Sequence, residues 1–278
     1  MRNQTANSSV MEKSKSESEC FGLVYERYAF GRVLEKFVKE YNIKSVLEIP
    51  GGGVKAMPSI YSICMGLLGC KVTVVNGEKA SLKVWKRLGI ENLISFVECD
   101  DLGNTQLPNE SFDFVWNFAV FGAFKNPENV LKEMKRVSEN YVGIFFNNKI
   151  NIGYFFHRFA HWYTNIPWTH GDVSFRNPKR IKNMMKDQGI KIEKVGFVDT
   201  PIWPDAIGFR DIRLHRLTME KNLDLSKVEW TSAYIDYLEA NQFPLWIKLV
   251  YAFEKIPMPY FLKQFVAHHF YVIGNVSG

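Results

Sequence analysis

The segment from Ser45 to Gly53 constrains this chain more than any other. Val46, Leu47 and Ile49 form a short apolar run around one acidic residue, Glu48, and the run stops at Pro50-Gly51-Gly52-Gly53 before a helical pattern spanning about Met57 to Leu68. A buried strand that turns at once through glycines into a helix opens a βαβ unit. Such a turn lets backbone approach a nucleotide or amino acid moiety where any Cβ would collide, and the helix N-terminus behind it attracts a carboxylate or phosphate. Three glycines also make an ordinary tight connection, so the turn alone specifies a fold and not a ligand.

The unit repeats. Lys71 to Val75 is short and β-branched, Asn76-Gly77 breaks it, Lys79 to Leu88 has a helical period, and Ile94 to Glu98 is a strand stopped by Asp100-Asp101. Phe112 to Asn117 is next, then a helix opened by Asn126-Pro127 and reaching about Ser138, and a strand from Tyr141 to Asn147. A basic helix from Pro178 to Gln188, a strand from Lys191 to Val198 and a last strand from His269 to Val276 complete the series. Strands alternating with helices at this spacing predict an α/β fold: one doubly wound, mostly parallel, seven-stranded sheet covered on both faces. In front of it, Leu23, Tyr28, Phe30, Val33, Leu34, Phe37, Val38 and Tyr41 recur at three and four residue intervals and predict a covering helix over Phe21 to Tyr41. Residues 1–20 hold no aromatic residue and are rich in Ser, Asn, Lys and Glu, the composition of a disordered tail. The domain therefore spans 21–278, with insertions at about 150–176 and 201–266.

At 278 residues the chain can bury a full core without disulfides or a structural metal. Cys20, Cys64, Cys70 and Cys99 form no C-x-x-C pair and no zinc-ligand spacing, and no secretory apolar segment stands at the N-terminus, so the expected setting is reducing and cytoplasmic. The apolar stretch from Phe243 to Phe253 is interrupted by Lys248, which argues against a spanning helix. Of the net charge of +6, most lies in residues 148–278, with 17 Lys/Arg against 12 Asp/Glu. That bias suits an anionic or interfacial partner and falls short of a nucleic-acid stripe. The 22 Phe, 12 Tyr and 7 Trp exceed what one core needs and point to a bound apolar or planar molecule.

Polar residues mark the ends of successive strands: Glu48, Asn76, Asp100-Asp101 and Asn117. In open α/β sheets those ends border the ligand crevice, and this set points to a nucleoside cofactor. Here the chain resembles the class I S-adenosylmethionine-dependent methyltransferases, in particular the branch acting on small molecules and lipids, and with them a Rossmann-like fold. The resemblance rests on VLEIPGGGV, VTVVNGEKASL, VECDD followed by LPNESFDFVWNFAVFGAF, and NPENVLKEMKRV. It implies S-adenosylmethionine as cofactor, with Glu48 beneath its methionine part and Pro50, Gly51 and Gly52 forming the loop against it. It places Asn76, aided by Glu78, at the ribose hydroxyls and Asp100 or Asp101 at the adenine amino group. Asn117 and Phe118 would border the sulfonium, and Tyr25 and Tyr28 would cover the cofactor. Three positions depart from the family pattern: Pro50 and Val54 stand where glycines are usual, and Asn76 where a carboxylate is usual. These departures motivate a different reading, a noncatalytic ligand-binding or partner-docking domain that kept the fold.

Methyl transfer is an in-line displacement governed by alignment and exclusion of water, so a general base is optional. Asn117 is followed by Phe118-Ala119 and not by Pro-Pro-aromatic, and no Pro-Cys nucleophile occurs, so a nucleic-acid acceptor is disfavoured despite the basic helix carrying Lys179, Arg180, Lys182 and Lys186. The insertions set the acceptor. Eight aromatics in residues 150–176 predict an apolar pocket, with Tyr154, His157, His161, Trp162 and Trp168 as its lining and His170 or Asp172 as base or substrate orienter. His157 and His161 lack the glutamate of HExxH and any nearby thiolate, so no metal is expected. Lys248, Lys255 and Lys263 interleave with Trp246, Tyr251, Phe253 and Tyr260, as in segments lying on a membrane surface, although the same spacing serves helices packed over a sheet. The expected function is methyl transfer to a small, hydrophobic or lipid-like acceptor, with peripheral membrane contact.

Overall fold

The computed structural model describes residues 16–51, 57, 59–168, 171–201, 203 and 229–277. Its elements run β1 (Ser16–Ser18), α1 (Phe21–Tyr41), β2 (Ser45–Glu48), α2 (Ile63–Gly66), β3 (Lys71–Val75), α3 (Leu82–Arg87), β4 (Ile94–Val97), β5 (Phe112–Phe118), α4 (Pro127–Val137) and β6 (Ser138–Asn147). They continue with α5 (Ile152–Thr164), α6 (Pro178–Asp187), β7 (Lys191–Val198), β8 (Glu229–Thr231), α7 (Ala233–Glu239), α8 (Leu245–Glu254), α9 (Tyr260–Val266) and β9 (His269–Asn275).

Seven strands form one sheet in the order β4-β3-β2-β5-β6-β9-β7, parallel except for β9, which runs antiparallel to both neighbours. The expected doubly wound α/β sheet is therefore present. Alternation along β5 shows how it is covered: Phe114, Trp116 and Phe118 join α1, α2 and α3 in one core, whereas Val115 joins α4 and α6 in the other. Phe30, fully buried, touches Phe118 and Phe145, with ring centroids 4.4 Å and 5.5 Å away. Burial of such a ring contributes about 1.5–3 kcal/mol, so Phe30 seats α1 on the sheet. Helix α1 stops at Asn42, whose left-handed φ of 53° returns the chain to Ile43.

Register brings the functional end of the sheet together. Glu48 lies beside Trp116, Phe118 beside Phe145, and His269 opposite both Asn147 and Val198. Residues 148 and 151 tie the first insertion to the last helix, because Asn148 Nδ2 donates to Gln264 O and Ala267 O, and Asn151 Nδ2 to Val266 O and Ala267 O.

Two expectations need correction. The helix anticipated from about Met57 to Leu68 is only Ile63–Gly66 as α-helix, since Ser59 adopts φ 63° and interrupts a helical path. The tail anticipated over residues 1–20 ends earlier: Ser16–Ser18 pair in parallel with Glu229–Thr231, and buried Glu19 meets Arg27 through two hydrogen bonds of 2.8 Å and 2.6 Å. A charge pair out of water holds only with such bidentate geometry, which anchors the segment to α1. The rest of that tail, and most of the second insertion before residue 229, lie outside the described residues.

Candidate active site at the carboxyl edge of the sheet

Strand β2 delivers Glu48 to the α1 face of the sheet, where its Oε2 accepts from Ser62 Oγ at 2.5 Å and Ser62 Oγ accepts from Trp116 Nε1 at 3.0 Å. Burial pushes the Glu48 carboxyl up to about 7, against the opposing pull of Ser62 and Arg27. The turn that follows has no room for a side chain: a Cβ on Gly51 would lie 1.9 Å from Val74 Cγ1. Gly51 N donates to Val75 O, and Ser59 Oγ bridges the two strand ends by donating to Gly51 O at 2.7 Å and accepting from Glu78 N at 2.9 Å. Pro50 precedes this lock, and Gly52 lies outside the described residues.

Asn76 is closed on Cys99. Its Nδ2 donates to Cys99 O and its Oδ1 accepts from Cys99 N, both at 2.7 Å, so the amide clamps the ends of β3 and β4. The exposed carboxylate of Glu78 stands at the same rim. Asp101 turns back to accept from Gly103 N at 2.8 Å, whereas Asp100 is exposed at the end of β4.

Asn117 lies fully buried where β5 ends. Nδ2 donates to Ile49 O at 2.6 Å, and Oδ1 has no hydrogen-bond partner among the described residues. Phe118 faces α1, packed on Phe30, Tyr61 and His269. Tyr25 donates to Glu254 Oε2 at 2.6 Å, and Tyr28 packs on Phe243 and Tyr251, so both tyrosines tie α1 to the C-terminal helices.

A buried polar group beside Phe118 escaped the sequence reading. Glu26 Oε1 accepts from Tyr61, while its Oε2 lies 3.8 Å from His269 Nε2; Asp199 Oδ2 lies 3.4 Å from His269 Nδ1 and 2.9 Å from His268 Nδ1. His268 Nε2 lies 3.1 Å from Trp203 O, so an oxygen faces each of its nitrogens. Burial opposes charge on Asp199, but His268 and then His269 hold it well below the usual carboxylate range. Glu26, Asp199 and His269 have ligand-type atoms within 4.8 Å of one another, a donor set that the expectation of no metal did not foresee. The two carboxylates face opposite nitrogens of His269, at 3.8 Å and 3.4 Å. The signal in the sequence was Glu26-Arg27 inside the apolar period of α1.

The first insertion brings together four of the five residues expected to line a pocket. Trp168 packs on Tyr154, His157 and His161 with ring centroids 5.8, 5.1 and 5.1 Å away, and His161 Nε2 lies 3.0 Å from His157 Nε2. Trp162 is 73% exposed and lies outside this cluster. Asp172 accepts from Ser174 N at 2.8 Å and Ser174 Oγ at 2.7 Å, and these bonds with Arg180 nearby hold it below the usual range. It borders a cleft of about 360 Å³ with Gly122, Asn126, Pro127 and Arg180. Gly171, at φ 70°, passes so close to Gly122 that a Cβ would come within 2.6 Å of its carbonyl oxygen. His170 lies outside the described residues.

Gly51, the acidic rim and the buried Asn117 amide come together at the carboxyl edge of this doubly wound sheet, where ligands of such sheets bind. Residues 51–141, about a third of the chain, match the family described as methyltransferase domain. No curated protein matches. The [4+2]-cyclase SpnF resembles the fold at 12% identity and TM-score 0.52, covering 88% of this chain and 80% of its own. The YcgJ protein from Bacillus subtilis does so at 12% identity and TM-score 0.51, covering 89% and 98%. A magnesium protoporphyrin IX methyltransferase from Synechocystis PCC 6803 with bound SAH has 17% identity and TM-score 0.48, covering 65% and 80%. The match over residues 51–141 is to a methyltransferase domain, and the order and directions of the strands agree with that fold. The residues present are compatible with S-adenosylmethionine, the cofactor that the sequence resemblance implies: buried Asn117 Oδ1 is open to a donor.

Proposed function

We propose that the chain methylates a small, hydrophobic or lipid-like acceptor in the cytoplasm. S-adenosylmethionine supplies an electrophilic methyl group on its sulfonium. Glu48, Pro50, Gly51 and Gly52 would hold its amino acid end, Asn117 Oδ1 would accept from its ammonium, and Asp100 or Asp101 would take the adenine. Asn76 serves the ribose indirectly, by fixing the rim from which Glu78 reaches the hydroxyls. Phe118 walls the reacting end, with Tyr25 and Tyr28 above it in α1. The observation that carries the acceptor class is the aromatic cluster of Tyr154, His157, His161 and Trp168. Packed rings of this kind suit an apolar or planar acceptor. His170 or Asp172 orients that acceptor or accepts its proton. The four cysteines are free, which supports a reducing compartment.

The test is turnover of methyl-labelled S-adenosylmethionine on a lipid and metabolite extract. Label passing to an organic-soluble product, and failing to pass with Asn117→Leu, is the expected result; label confined to water-soluble products refutes the acceptor class. The closure of Asn76 on Cys99 favours the second reading, a fold retained for ligand binding or partner docking. That the similar SpnF is described as a cyclase supports treating this scaffold as open to other uses. Cofactor binding without turnover on any extract would establish that reading.

A further inference from the structure

Fourteen of the eighteen large hydrophobic side chains exposed among the described residues fall in two short stretches, residues 152–163 and 245–265. On α5 these include Phe155, Phe156, Phe159 and Tyr163, each at least 57% exposed, while Tyr154 and His161 face inward. On α8 and α9 they include Leu249, Ile256, Phe261 and Phe265. Scattered surface apolar residues need no explanation, but a concentration of this size marks an interaction surface.

Hydrogen bonds link the three helices to one another. Asn148 and Asn151, at the start of α5, donate to the carbonyls of Gln264, Val266 and Ala267 where α9 ends. Lys263 Nζ in α9 donates to Glu254 O at the end of α8, at 3.2 Å. Tyr260 packs on Phe197 of β7, with centroids 4.8 Å apart, and fixes the platform to the sheet.

Charge selects the occupant. Residues 152–166 contain no acidic residue, and residues 243–266 contain only Glu254, which is buried and bonded to Tyr25. The exposed charges within these stretches are Arg158, Lys248 and Lys255, all cationic. A second copy docked through a two-fold axis would set these cations against one another. A surface of aromatic rings and lysine stems with no exposed carboxylate complements anionic headgroups over an acyl layer. No helix is long and apolar enough to cross a membrane among the described residues, so such a surface lies in the interface. The geometry points to α5, α8 and α9 as a docking platform for anionic lipid bilayers. This inference stands on the helical face and does not require methyl transfer.

The experiment is flotation of the full chain with vesicles of phosphatidylcholine alone and of phosphatidylcholine with phosphatidylserine. The protein rises with the anionic vesicles and several-fold less with the neutral ones. The pair Lys248→Glu and Lys255→Glu lowers anionic partition by about ten-fold or more, since each basic residue near such a surface contributes several-fold. The triple variant Phe159→Ser, Leu249→Ser, Phe261→Ser abolishes flotation while keeping its circular dichroism spectrum and its S-adenosylmethionine titration. Protein that stays at the bottom with both vesicles overturns the inference, as does flotation that these variants leave unchanged. A dimer in light scattering that the triple variant dissociates, without flotation of the parent, assigns the face to a second copy and also overturns it.

Discussion

Asn117 gives its amide proton to the Ile49 carbonyl at 2.6 Å and holds its own oxygen buried without a donor, at the point where β5 meets the glycine turn. A buried acceptor left open costs free energy that a ligand donor returns on binding. Asn117→Leu, near in volume and without the acceptor, therefore weakens S-adenosylmethionine binding by about ten-fold or more in calorimetry. Unchanged affinity would place the amino acid end of the cofactor elsewhere.

The clamp of Asn76 on Cys99 makes a prediction opposite to intuition from the family pattern. Asn76→Asp supplies the usual carboxylate, yet loses the donor to Cys99 O and sets an anion against that carbonyl. The variant is destabilised by about 1–3 kcal/mol in urea denaturation and binds the cofactor no more tightly. A gain in affinity would show that the amide can swing away from Cys99.

Glu48 imposes a pH dependence. Its carboxyl is raised from 4.5 to about 7 in the folded protein, so folding favours the protonated form. The associated stabilisation is present below pH 4.5 and is lost as pH rises through 7. The shift corresponds to roughly 3 kcal/mol. Stability of the parent relative to Glu48→Gln, followed by denaturation from pH 4.5 to 8, should fall across that window. A flat difference would mean that Glu48 is solvated.

The contact of Gly51 with Val74 predicts a compensating pair. Gly51→Ala places a methyl 1.9 Å from Val74 Cγ1 and so destabilises the turn, whereas Val74→Ala opens the space. The double variant is less destabilised than the sum of the singles by about 1 kcal/mol or more, read from thermal denaturation as a double-mutant cycle. Strict additivity would mean that the turn relaxes away from β3.

Strands β3 and β4 were legible because breaking residues follow them, Asn76 with φ 50° and the Asp100-Asp101 pair, and helix α4 because Asn126 precedes Pro127 at its start. What those end residues do was less legible. Asn76 reads as a weakened ribose ligand until Cys99 is seen to occupy both sides of its amide, a pairing set by the register of β3 on β4. Glu26, Asp199 and His269 stand far apart in the chain and meet only because β9 runs back between β6 and β7. Trp162 was read as pocket because α5 is apolar on most sides, so its period does not tell which face meets the sheet. The pairing of Ser16–Ser18 with Glu229–Thr231 spans more than two hundred residues, beyond any local pattern.

Calorimetric titration of the purified chain with S-adenosylmethionine, and separately with S-adenosylhomocysteine, tests the central claim most directly. The arrangement of Glu48, Gly51 and Asn117 predicts saturable one-to-one binding of both. A folded sample that binds neither would contradict the account of this edge of the sheet as a cofactor site.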